Sequence, residues 1–176
     1  MTRARDLATQ TGLTLITTST QAAGTTNSLD GIFNSNYKNY KIIGNFTTSG
    51  GGGAAVAVYF KFKVGAAYSG AHYGSNVYGS YNDTVARSIN SSNTAAFHFA
   101  YTNQGPPTHF EMDVHNPFID GIYKSITGQY NSVGIGVQGS FGGHAGTQSS
   151  YTGFELTVGT GNISGFYQIY GYNDGV

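Results

Sequence analysis

The chain has 176 residues, among them 27 Gly and 14 Tyr, and its eight basic and eight acidic residues give a formal net charge of zero. This balance argues against a nucleic-acid-binding protein, which needs excess Lys and Arg to neutralise phosphates. Hydrophobic residues make up 39% of the chain and aromatic residues 14%, too much for a disordered protein. The absence of Cys excludes disulfides, thiolate nucleophiles and Cys-ligated metal sites.

The first eleven residues precede any strand pattern and include Arg3, Arg5 and Leu7. We interpret residues 1–11 as a polar arm that serves in assembly, with these three side chains as its contacts. The segment lacks the apolar stretch of a signal peptide, and no run of 18 apolar residues occurs elsewhere. The sequence therefore predicts a soluble protein without a membrane partner.

Residues 12–176 show an all-β pattern, in which apolar side chains recur at every second position. In chain order, this alternation predicts strands within residues 13–18, 37–46, 55–64, 95–101, 109–115, 122–128, 133–137, 154–158 and 166–172. Gly-rich and Asn-Ser-rich segments connect them. Eight or nine strands of irregular length favour an antiparallel two-sheet sandwich, jelly-roll-like, over a closed barrel.

Residues 68–82 are rich in Tyr, Gly, Ser and Asn, and we expect a long exposed loop there. Tyr68, Tyr73, Tyr78 and Tyr81 resemble in composition the contact residues of antibody loops, where Tyr supplies area and small residues supply adaptability. Such a loop could contact a sugar, a receptor or a neighbouring subunit. The alternative is that these rings only cover one end of the sandwich.

One predicted strand carries four side chains that could bind a metal or take part in catalysis. His109, Glu111, Asp113 and His115 fall on the same face of this strand. They could hold a divalent cation in a cupin-like enzyme, or supply the carboxylates of a glycosidase. Ligands from a single short strand diverge, however, and neighbouring carboxylates on one strand do not oppose each other across a glycosidic bond. We therefore expect a polar face with no metal, no cofactor and no catalytic residue.

Several segments at both ends of the chain resemble structural proteins of marine and cyanobacterial tailed phages. The similarity is to the β-rich, tail-fibre-like and decoration proteins of these virions. It rests on residues 1–8 (MTRARDLA), 28–43 (SLDGIFNSNYKNYKII), 152–156 (TGFEL), 161–165 (GNISG) and 169–172 (IYGY). The resemblance implies a non-enzymatic protein on the virion surface.

Within that group, the short chain without a fibre shaft favours a capsid decoration, or cement, protein that contacts the major capsid protein. A short tail-fibre or receptor-binding module attached to a tail component is the alternative, and a free carbohydrate-binding domain is another. The last two would bind a glycan, for example on the host surface. By analogy with other jelly-roll virion proteins we expect a homotrimer.

Overall fold

In a computed structural model, the chain is an all-β protein. The structure describes residues 12–50, 55–65, 67–68, 71–80 and 86–173. Within these ranges it contains one short 3₁₀ helix, Val133–Ile135, between β10 and β11, and thirteen strands: β1 (Gly12–Gly24), β2 (Thr26–Leu29), β3 (Asn39–Ser49), β4 (Val56–Val64), β5 (Ala67–Tyr68), β6 (His72–Ser80), β7 (Arg87–Thr94), β8 (Phe97–Thr102), β9 (Thr108–His115), β10 (Ser125–Ser132), β11 (Val137–Ala145), β12 (Gly153–Val158) and β13 (Asn162–Asn173).

The strands form two antiparallel sheets that pack as a sandwich. The larger sheet has eight strands in the order β1-β13-β3-β9-β10-β11-β6-β7, and the smaller has the order β2-β12-β4-β5, with β8 also paired to β4. Four antiparallel pairs are nested along the chain: β1 with β13, β2 with β12, β3 with β9, and β4 with β8. Successive pairs alternate between the sheets, which is the wrapping of a jelly roll. The predicted fold class is confirmed.

Two inserted segments add strands to the larger sheet, beyond the four nested pairs. The segment β5–β7 is inserted between β4 and β8, and the hairpin β10–β11 between β9 and β12. Strands β10, β11, β6 and β7 add in that order to the free edge of β9. The larger sheet thereby grows from four strands to eight.

Aromatic rings fill the space between the sheets. Phe60 of the smaller sheet stacks on Phe154 with ring centroids 5.6 Å apart, and Phe99 meets Phe110 and Phe141 at 5.1 and 4.7 Å. All of these side chains are at least 96% buried. Burial of aromatic area is the main source of stability in such a core.

Two glycines of the larger sheet lie close to aromatic rings. Gly139 pairs across the ladder with Tyr130, and a Cβ atom at Gly139 would lie 2.3 Å from the Tyr130 ring. Gly44 pairs with Phe110 in the same way, with a distance of 3.0 Å. A glycine in a strand marks a place where another group approaches the backbone closely. At Gly139 and Gly44 that group includes an aromatic ring of a neighbouring strand, so these two glycines leave room for aromatic packing.

Two predicted strands are displaced in the structure. Residues 133–137 were expected to be extended, but Val133–Ile135 form the 3₁₀ turn of a tight connection that ends at Gly136 with φ of 60°. The strand expected over 122–128 begins only at Ser125. The cause is Lys124, which is buried and donates its ammonium hydrogens to the backbone carbonyls of Ile119, Ile122 and Gln148.

The strand over residues 55–64 is confirmed, but its last two residues differ from the alternating pattern. This pattern predicts an exposed Lys63 and a buried Val64, whereas Lys63 is buried and Val64 is exposed. Lys63 reaches the carboxylate of Asp30 at 2.9 Å and also donates to the Ser28 hydroxyl. The ion pair and the hydrogen bond offset the free-energy cost of removing the Lys63 ammonium group from water.

Residues 1–11, which include Arg3, Arg5 and Leu7, lie outside the described residues, and the assembly role of this arm stays a prediction. Where the chain is described, it contains no helix of the length and apolar character needed to cross a membrane.

Candidate functional site

The outer face of the eight-stranded sheet carries polar side chains from several strands. We use this name for the side chains that point away from the core on strands β3, β9, β10, β11 and β6. On β9 the predicted division is confirmed: Phe110, Met112 and Val114 are buried, while the alternate side chains His109, Glu111, Asp113 and His115 point outward. The period of two in a strand places these four residues on the outer face.

Neighbouring strands engage both carboxylates of this row. Lys41 of β3 lies with its Nζ atom 3.3 Å from Glu111 Oε2 and 3.7 Å from Asp113 Oδ1. Gln129 of β10 donates to Glu111 Oε1 at 2.7 Å, and the Tyr172 hydroxyl donates to Asp113 Oδ1. The hydrogen bond from Gln129, followed by that from Lys41, lowers the pKa of Glu111. Burial and the Asp113 carboxylate raise the pKa of Tyr172 to about 12.

This arrangement bears on the enzyme and metal alternatives. The two carboxylates share one ammonium group on one strand face, so they do not flank an open space as glycosidase carboxyls do. In the part of the chain that the structure describes, no group of three or more His, Asp and Glu side chains is placed to hold a metal ion. The absence of a metal site and of catalysis stays a prediction.

Next to this row, the outer face contains a groove of about 620 Å³. Its two apolar walls are Ile43 on β3 and Val77 on β6, which are 37% and 46% exposed. Between them lie polar side chains from the three intervening strands, with amide, hydroxyl, imidazole and carboxylate groups: His109, Glu111, Gln129, Asn131, Gln138 and Ser140. Gly79 of β6 also lines the groove.

Strand register brings these residues together from five separate parts of the sequence. Ile43 pairs with Glu111, Glu111 with Gln129, and Gln129 with Ser140, which in turn pairs with Val77. A second row follows the same strands from His109 to Asn131, Gln138 and Gly79. Five strands span about 19 Å at the usual spacing between neighbours. Most of this width comes from the strands that the two insertions supply.

The four Tyr residues expected in one contact loop are not arranged in one. Residues His72–Ser80 form strand β6, so Tyr73 and Tyr78 lie on opposite faces of the sheet. Tyr73 stacks on His144 at 5.1 Å, and Tyr78 meets Tyr101 edge-on at 5.1 Å. The side chains of Tyr68 and Tyr81 lie outside the described residues, and a contact role for this set stays a prediction.

The free edge of the same sheet is a second notable feature. Strand β1 has thirteen residues, pairs on one side with β13, and has no second neighbour among the described strands. It contains no charged residue and no Pro, and Leu13 and Leu15 are 43% and 49% exposed. Irregular pairing at Leu15/Thr17 and at Gln21/Gly24 divides the strand into two regular runs.

Comparison with known proteins gives no match of any kind: no family model, no curated protein and no solved structure is similar to the chain.

The groove was not found by sequence reasoning, although part of its signal was present. Gln129 and Asn131 alternate with buried residues, as do Gln138 and Ser140. This alternation identifies outward-facing polar positions. The alternation does not predict the order of the strands in the sheet, because β6 pairs with β11 although more than 50 residues separate them in the sequence.

Proposed function

We propose that this protein is a structural, non-enzymatic component of a phage virion, located on the particle surface as a capsid decoration protein that contacts the major capsid protein. The observation that carries the proposal is the free edge strand β1. The resemblance of the two ends of the chain to virion proteins supports the same role.

An open sheet edge presents unpaired backbone N–H and C=O groups and readily pairs with another chain. Monomeric proteins usually protect such edges with Lys, Pro, bulges or short strands. Strand β1 has thirteen residues and no Lys or Pro, and its two irregular pairings leave two regular runs. At the other edge of the sheet, by contrast, β7 begins with a charged residue, Arg87. An uncharged edge of this length therefore suits a strand that pairs with a partner in the assembled particle.

The position of β1 in the chain supports the same interpretation. It follows directly after residues 1–11, which include Arg3, Arg5 and Leu7. Arm and edge strand together form a continuous segment that could bind along the capsid surface while the sandwich projects from it. A homotrimer on a three-fold position of the lattice remains part of this proposal.

The test places charges on the proposed contact without disturbing the core. We expect the double variant Leu13→Lys/Leu15→Lys to fold normally, because both side chains are largely exposed. Its incorporation into particles should fall by about tenfold or more, since each buried unpaired ammonium at an interface costs several kcal/mol. The measurement is the amount of the protein in purified particles, relative to the major capsid protein.

Val133→Lys serves as the matched control, because Val133 is 59% exposed and lies on the 3₁₀ turn, away from β1. This variant should be incorporated like the wild-type protein. Equal incorporation of the Leu13→Lys/Leu15→Lys variant would contradict a role of β1 in attachment.

A further inference from the structure

We propose that the groove on the outer face is a binding site for a neutral carbohydrate chain. The proposal does not depend on a virion location, since it rests on the shape and chemistry of the groove alone. The size of the groove is the first argument. About 620 Å³ lies within the range of small-molecule binding sites, and the width across five strands accommodates an elongated ligand.

The lining matches the hydroxyl groups of a sugar. Asn131 and Gln138 each carry an amide with two donor hydrogens and an acceptor, and the Ser140 hydroxyl can donate or accept. Gln129 donates one hydrogen to Glu111 and keeps its second hydrogen and its carbonyl oxygen for a ligand. A sugar hydroxyl is itself both donor and acceptor, so each can be satisfied by such groups. Gln129 and Lys41 hold the carboxylate of Glu111 in position. One strong hydrogen-bond acceptor is therefore fixed between the two apolar walls before any ligand binds.

The two walls suit the less polar part of a saccharide. Ile43 and Val77 line the groove on opposite sides and are the large aliphatic side chains of its lining that are exposed. Sugar rings carry C–H groups on their faces, and contact with aliphatic side chains removes both from water. Polar groups between apolar walls are the usual composition of a site that orients a small ligand.

Other ligand classes fit the groove less well. Among the described residues no Lys or Arg lines it, and the Lys41 ammonium beside Glu111 is paired with two carboxylates, so phosphates and nucleic acids find no unpaired counter-charge in the groove. A peptide that adds to the sheet needs a free edge, whereas β9, β10 and β11 are paired on both sides. A lipid chain would leave the central amides without hydrogen bonds.

The experiment is calorimetric titration of the purified wild-type protein with four neutral probes, maltotetraose, cellotetraose, mannotetraose and tetra-N-acetylchitotetraose, and with inorganic phosphate as the anionic probe. We expect saturable binding of at least one tetrasaccharide and no binding of phosphate. Binding of phosphate alone, or of none of the five probes, would overturn the proposal.

Variants locate the site on the outer face. Asn131→Ala/Gln138→Ala should weaken binding by roughly tenfold or more through the loss of two ligand hydrogen bonds. Ser140→Phe should abolish binding by filling the centre of the groove, and it serves independently if the double variant is unstable. Gln148→Ala is the matched control, an exposed amide outside the groove, and should bind like the wild type. Unchanged binding by folded Ser140→Phe would place the sugar elsewhere and overturn the assignment.

Discussion

At the scale of single residues, the sandwich contains a buried histidine that must stay neutral. His98 on β8 is only 4% exposed, and its Nδ1 atom lies 3.1 Å from the Asn76 side-chain nitrogen. The same Asn76 amide donates to the Phe99 carbonyl at 3.0 Å. Since Asn76 can only donate from this nitrogen, His98 Nδ1 acts as the acceptor of a neutral imidazole. Desolvation lowers the pKa of His98 to about 4.

This histidine predicts a pH-dependent stability. The unfolded chain binds a proton at His98 below pH 6.5, but the folded protein does so only below about 4. Stability should therefore fall as the pH decreases through this window, by up to about 3 kcal/mol for this group. The measurement is the free energy of unfolding by urea at several pH values between 7 and 4.

Two variants assign the effect. His98→Gln, which cannot titrate, should show a smaller slope between pH 6.5 and 4.5 than the wild-type protein, although it lowers stability at pH 7. His109→Gln is the matched control for the substitution itself, because His109 is exposed on the outer face. Identical slopes in the wild type and His98→Gln would show that His98 is not the responsible group.

At the scale of elements, the larger sheet depends on glycine positions covered by rings from neighbouring strands. Gly139→Ala should destabilise the fold by about 2 kcal/mol, because the new methyl group would overlap the buried Tyr130 ring. Gly142→Ala on the same strand is the matched control, since its Cβ would meet nothing closer than 3.8 Å. Thermal unfolding of the two variants measures the difference. Equal melting temperatures would contradict the close approach of Tyr130 to β11.

The same elements show what the sequence could and could not indicate. Strands with one apolar face, such as β9 and β12, were predicted within one residue of their ends because burial imposes a period of two. Strand β6 was missed because its inward positions include His72 and Asn76, and its composition of Gly, Ser and Tyr is typical of loops. Polar side chains buried in a sheet carry no period that distinguishes them from an exposed turn.

On the outer face, too, the sequence predicts only part of the structure. The polar row of β9 could be predicted, because its four members belong to one strand. The groove could not, because it needs the pairing of β11 with β6, and pairing between distant segments is determined by tertiary packing. A prediction of the site from sequence was therefore restricted to the part that a single strand supplies.

At the scale of the whole molecule, the proposed attachment surface and the proposed binding groove occupy different strands of one sheet, with β13 between them. Strand β1 is one edge, whereas the groove spans β3 to β6 toward the other edge. Pairing of β1 with a capsid partner would leave the groove open to solvent. The insertions β5–β7 and β10–β11 that widen the jelly roll supply three of the five strands of the groove. In our proposal, the jelly-roll strands provide the attachment surface, and the inserted strands provide most of the binding groove.

The central claim is that the chain decorates a capsid, and its copy number in the particle tests this most directly. Quantitative mass spectrometry of purified phage particles, with the major capsid protein as internal reference, gives this number. We expect on the order of hundreds of copies per particle, because a decoration protein repeats with the symmetry of the lattice. A few copies to a few dozen would instead indicate a tail component, and absence from purified particles would contradict the virion role itself.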